Sequence, residues 1–202
     1  MVWSTTTGER LAAPFIGHTY TVYCVQLSLD KIASCDYRDL RIWHSHIGEL
    51  LIPPIQVKAR SLAWTPNGQQ LIAGCFDGSI KLFDASTATT TGSLIAEWKG
   101  HTNVIYSIAV SRNGKFLASG SDDNTVRLWD TATQQQIGPN GLQHDGYVTS
   151  VAISPDGCHL ASGGSDEKVR IWSLQHIFAK SLDGNTPKNA VRSICLQYTK
   201  LY

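Results

Sequence analysis

Residues 117–130 read Leu-Ala-Ser-Gly-Ser-Asp-Asp-Asn-Thr-Val-Arg-Leu-Trp-Asp, and residues 160–173 read Leu-Ala-Ser-Gly-Gly-Ser-Asp-Glu-Lys-Val-Arg-Ile-Trp-Ser. The two stretches are one phrase, 43 residues apart. Each holds a short apolar segment, a polar turn and a second apolar segment closed by tryptophan. No helical spacing competes with this layout, which is that of short strands joined by hairpin turns. A phrase repeated at a fixed period means an array of one supersecondary unit, so function has to be sought in the array rather than in a single site.

Working outward, the closing phrase recurs along the chain. Trp3, Trp43, Phe83, Trp129 and Trp172 stand at intervals of 40, 40, 46 and 43 residues. Ahead of the two best copies lie His101 and His144, then the apolar runs Ile105–Val110 and Val148–Ile153. The turns that follow contain Asn113-Gly114 and Asp156-Gly157, residue pairs that supply the positive φ of a tight hairpin. A fourth, weaker strand precedes the next histidine. Four antiparallel strands per repeat of about 40–45 residues make one blade of a β-propeller, so the fold class expected is all-β.

Gly100-His101, the stretch Leu117–Asp130 and its parallel Leu160–Ser173 resemble WD40 repeats. The resemblance extends over almost the whole chain and implies a WD40-type propeller, complete or incomplete. It gives four four-stranded blades, at 18–55, 56–99, 100–143 and 144–186. A partial blade at 1–17 and a lone first strand within 187–202 complete the reading, the latter because Val191–Leu196 repeats Val148–Ile153. The first two blades are eroded. The second turn of the first is one residue short, and the second has no histidine before its first strand, Ala73 for serine and Phe83 for tryptophan. WD40 rings most often have seven blades, and this chain holds fewer than five periods. A segment of a larger propeller is the reading favoured here, over a small five-bladed ring or an arc whose ring is closed by another chain. The repeat style is also similar to WD40 arrays of fungal signalling and incompatibility proteins.

Composition narrows the classes. Hydrophobic residues make up 42% and charged residues 16%, the balance of a globular protein, and the net charge of +1 offers no field for nucleic acid or an anionic membrane. The five cysteines include no C-x-x-C pair and are odd in number, which suggests neither a zinc site nor a complete disulfide framework. With no secretory leader pattern and no apolar run near 18 residues, an intracellular, cytoplasmic location is expected.

Histidine, serine and aspartate recur together, as His101, Ser119, Asp123 and as His144, Ser162, Asp166, each set with a tryptophan, Trp129 or Trp172. This is the inventory of a catalytic triad, and a hydrolase using one such set is the rival reading. An enzyme needs one nucleophile, however, and a set repeated at blade spacing points to a buried chain from indole N–H to serine, histidine and aspartate. The resemblance implies the same structural tetrad. In the first repeat His18, Ser34 and Trp43 are present, and whether Asp36 fills the acidic place is left open by the shortened turn. His44-Ser45-His46 is read as an exposed turn, so no metal and no cofactor are expected. Loops before the first strand and after the second form one rim of a propeller, and Tyr23, Arg60, Phe76, Tyr106, Tyr147 and Arg192 fall there. Tyrosine and arginine favour hot spots for protein or peptide partners. The expected function is therefore a non-catalytic scaffold, with an inactive fragment of a larger WD40 protein as a further alternative.

Overall fold

A computed structural model describes residues 2–3, 6–12, 15–86 and 92–181. Its strands are β1 (Val2–Trp3), β2 (Arg10–Ala12), β3 (Cys24–Ser28), β4 (Lys31–Cys35), β5 (Asp39–His44), β6 (Ile55–Gln56), β7 (Ala59–Trp64), β8 (Gln70–Cys75) and β9 (Ser79–Asp84). They continue as β10 (Leu94–Lys99), β11 (Ile105–Val110), β12 (Phe116–Ser121), β13 (Thr125–Asp130), β14 (Gln136–Gln143), β15 (Val148–Ile153), β16 (His159–Gly164) and β17 (Val169–Ser173), followed by α1 (Leu174–Ser181). Sequential strands pair into sheets β3–β6, β7–β10, β11–β14 and β15–β17, with β1 and β2 as a separate pair. The fold is all-β and the sheets are propeller-type blades. The expected strand at Val191–Leu196 lies outside the described residues.

The second strand of each blade is the spine, flanked by partners on both edges, and in β4 and β12 it is buried on both faces. All five residues of β4 and all six of β12 are buried. The alternation apolar-in, polar-out weakens there, and small residues such as Ala33 and Ala118 let neighbouring layers approach. The contacts divide the chain into two compact units, Met1–Phe76 with Ile80–Glu97 and Asp77–Ser79 with Trp98–Tyr202. The core of the first gathers Ala33, Leu40, Ile42, Ala59, Leu62 and Leu71. That of the second gathers Phe116, Val126, Leu128, Val148, Leu160 and Phe178.

One element departs from the sequence reading. The fourth blade, expected to have four strands, has three among the described residues, and α1 follows where the outer strand was placed. The physical reason is spacing: Leu174, Ile177 and Phe178 stand at i, i+3 and i+4, which puts them on one helical face. Leu174 is fully buried and the Phe178 ring meets Phe116 edge-on at 5.3 Å between centroids.

The hairpin turns behave as their residues dictate. Gly68, Gly114 and Gly157 take φ of 64°, 71° and 67° in the first turn of three blades. In the second turn the left-handed place is held by Gly78, Asn124 and Glu167, at φ 78°, 65° and 61°. Asparagine tolerates this region, whereas glutamate pays a Cβ clash of about 1 kcal/mol. Replacement Glu167→Gly is expected to stabilise the chain by about 1 kcal/mol, read as a higher denaturation midpoint, with Asn124→Gly giving less.

Candidate functional site

Each blade with a tetrad builds it from four places: the loop before the first strand gives histidine, the second strand serine, the second turn aspartate and the third strand tryptophan. Antiparallel register sets Ser119 opposite Arg127 and Leu117 opposite Trp129, so serine and indole meet diagonally across β12 and β13. The Trp129 indole N–H donates to Ser119 Oγ at 2.9 Å, Ser119 Oγ lies 2.7 Å from His101 Nε2, and His101 Nδ1 lies 2.9 Å from an Asp123 oxygen. The last repeat copies this with 2.8 Å from Trp172 to Ser162, 2.7 Å from Ser162 to His144 and 3.0 Å from His144 to Asp166. In the first repeat Trp43, Ser34 and His18 are joined at 2.8 and 2.7 Å, and Asp36 accepts the acidic place at 3.0 Å from His18. The shortened turn keeps its carboxylate in reach because Asp36 Oδ1 also accepts the backbone N–H groups of Arg38 and Asp39, at 2.7 and 2.9 Å. The second repeat has no such chain: Ala73 and Phe83 are buried in the apolar core instead.

Proton positions follow from the donors. An indole N–H can only donate, so serine accepts it and gives its own proton to histidine Nε2; histidine Nδ1–H then donates to the carboxylate. For His101 this arrangement is that of a neutral imidazole. Burial pushes the titration of His101 below its usual 6.5, and this outweighs the opposing pull of Asp123. Burial alone would raise Asp36, but the hydrogen bonds from Asp39, Arg38 and His18 prevail and hold it at about 2 against an ordinary 3.8. For Asp123 too, burial is outweighed, by donors from His101 and Thr125, and its carboxyl sits well below the usual range.

The geometry resembles a triad, but the serine is not presented to a substrate. Ser119 is fully buried and Ser162 and Ser34 nearly so, at 3% and 5% exposure. In each, an indole N–H occupies the oxygen that a nucleophile would need. What the arrangement does is satisfy four buried polar groups and tie the second turn to the loop before the blade. His18, Asp36 and Asp39 also lie within a ligand-like 4.8 Å of one another. Their donor atoms are already used, however, since Arg41 holds Asp39 in a two-pronged contact at 2.7 and 3.1 Å.

The exposed aromatic candidates fall into two separate groups. In the first unit the rings of Tyr23 and Phe76 lie 5.5 Å apart, with the Arg60 guanidinium 4.5 Å above Tyr23. The structure adds Tyr37, 5.0 Å from Phe76 and covered by Lys58 at 5.0 Å, and Tyr20, 6.4 Å from Tyr37 with Arg38 at 5.6 Å. Tyr20 and Tyr37 are 51% and 40% exposed, so the group is open to a partner. Sequence reasoning missed Tyr20, Tyr37, Arg38 and Lys58; they sit in or beside the same loops, and reading each loop whole would have found them. In the second unit Tyr106 and Tyr147 pair at 5.8 Å, with Tyr147 44% exposed. Arg192 lies outside the described residues. Among the described residues, no helix is long and apolar enough to cross a membrane.

Known proteins match parts of this chain. The family model described as WD domain, G-beta repeat matches residues 92–130 and 140–173, and that of the anaphase-promoting complex subunit 4 WD40 domain matches residues 37–104. Coronin-7 of Rattus norvegicus is 36% identical over 74 residues, which cover 34% of this chain and 8% of that protein. Coronin-7 of Bos taurus is 33% identical over 78 residues, 36% of this chain and again 8% of the relative. The matched stretch is thus a small part of these relatives' length. The crystal structure of the computationally designed Ika4 protein superposes with a TM-score of 0.66 at 24% identity, covering 83% of this chain and 99% of that one. The designed Ika8 protein gives 0.68 at 24% identity, covering 85% and 51%. At that identity the likeness is one of fold.

Two outcomes are expected. Ser119→Ala strands the indole and imidazole nitrogens in a dry site and should lower stability by about 2 kcal/mol in denaturant unfolding, with Ser162→Ala similar. The unfolded chain takes up protons before Asp36 does in the fold, so its contribution is full above pH 3.8 and vanishes as pH falls towards 2. His101, also shifted down, acts in the same direction below 6.5. Melting temperature should therefore fall on acidification, and Asp36→Asn should flatten the part of the curve between 3.8 and 2.

Proposed function

Because the chain belongs to the WD40 repeat family, we propose that it is a non-catalytic scaffold that holds protein or peptide partners on the exposed aromatic loops. The observation that carries this reading is the contrast between its polar sets. The serines of all three His-Ser-Asp chains are buried and engaged by tryptophan, while tyrosines with stacked cations stand exposed on the loops around them. Rings already braced by guanidinium or ammonium groups lose little freedom on binding, which favours affinity from surface contact alone. The same role serves these repeats within a longer WD40 protein. Cys24, Cys35 and Cys158 are unbridged thiols, in keeping with a reducing intracellular compartment.

Selection of displayed peptides on the immobilised chain tests this. Enriched peptides should lose at least tenfold in affinity to Tyr37→Ala and to Tyr20→Ala, both of which keep the wild-type melting temperature. Peptides insensitive to every loop substitution would overturn the assignment. Under the hydrolase reading, activated esters would turn over and His101→Ala or His144→Ala, but not both, would abolish it; no turnover is expected from either.

A further inference from the structure

Within each unit, one blade is covered by the first strand of another. In the second unit β15 lies on β11 and β12: the Val151 backbone N–H donates to Ser107 Oγ at 3.1 Å, and a Cβ on Gly120 would stand 2.7 Å from Val148. In the first unit β7 lies on β3 and β4 in the same way, and the Trp64 indole N–H donates to the Gln26 carbonyl at 3.2 Å. The covering strand brings Val148 and Val151, or Ala59 and Leu62, and all four are buried. The covered face includes Val126 and Leu128 on β13, exposed by 0% and 2%.

Two faces of this kind are bare among the described residues. On β17 the equivalents of Val126 and Leu128 are Val169 and Ile171, exposed by 79% and 65%. A Cβ on Gly163, the counterpart of Gly120, would meet nothing nearer than 3.7 Å. On β3 the equivalent of Val151 and Leu62 is Val25, 55% exposed, followed by Leu27 at 71% and preceded by Val22 at 42%. Contiguous apolar surface of this kind marks an interaction face. One bare face is of the covering type and the other of the type that is covered.

We propose that a second copy of this chain joins them: β3 of one copy lies on β15 and β16 of the next, beside Val169 and Ile171 of β17, as β15 lies on β11 and β12 beside β13 within the chain. The occupant follows from the contacts already made, since both internal precedents put a first strand of this repeat on such a face. The contact is heterologous, head to tail, and generates a ring if its rotation closes. It uses none of the exposed tyrosines and stands or falls apart from the scaffold reading.

Sedimentation of the 202-residue chain and two variants, Val25→Glu and Ile171→Glu, decides it. Both positions are exposed, so each variant should keep the wild-type circular dichroism and melt as the wild type does when diluted to its monomer. The wild type is expected at twice the monomer mass or more, and each variant at the monomer mass. An equimolar mixture of the variants should return to twice the monomer mass and no higher, because one intact pair of faces remains. A wild type that stays monomeric at tens of micromolar overturns the proposal, whether residues 182–202 cover β17 or nothing does. So does a mixture that fails to associate.

Discussion

An indole N–H buried beside a strand must be given an acceptor, and in this fold the obligation propagates. Tryptophan on the third strand needs the serine of the second; that serine, now short of an acceptor for its own proton, needs histidine; histidine needs a carboxylate. Left unmet, any one of these groups would cost about 1–3 kcal/mol in a dry site. Met together, they fix where the loop ahead of the blade crosses and how the second turn closes. Trp43, Trp129 and Trp172 each begin such a chain. The exposed tyrosines hang on the loops that these chains pin, so the network positions the surface proposed to bind.

This separation of roles explains why a triad-like inventory is no argument for catalysis here. A nucleophilic serine must have an open lone pair and a route to solvent. Ser119 lacks the route, being fully buried, and one of its lone pairs already accepts from Trp129. The histidine, held neutral by burial, is the acceptor that a serine hydroxyl requires, and the same proton arrangement that would activate an exposed serine stabilises a buried one.

Much of this was legible in the sequence because it repeats. His101, Ser119, Asp123 and Trp129 return as His144, Ser162, Asp166 and Trp172, and recurrence fixes roles without coordinates. Asp36 was not legible: one missing turn residue breaks the alignment, and only the backbone shows that its carboxylate still reaches His18. Tyr37 and Lys58 escaped because the direction of a loop side chain follows no period. The helix Leu174–Ser181 escaped because eight residues carry barely two turns of pattern. The bare faces were beyond reach for a different reason. Val25 and Val151, or Ile171 and Leu128, are alike as residues, and only a neighbour decides which is buried.

The second repeat, with Ala73 and Phe83 in place of the polar chain, has a consequence for how the array comes apart. The other described blades each hold a carboxylate, Asp36, Asp123 or Asp166, whose proton affinity is lowered by the bonds it accepts, so their local opening is coupled to acidity. The sheet β7–β10 has no such chain at its serine and tryptophan positions, where opening breaks the apolar contacts of Ala73 and Phe83 instead. Hydrogen exchange in this array would thus have two regimes, one coupled to the carboxylate of a tetrad and one without that coupling, written blade by blade into a single chain.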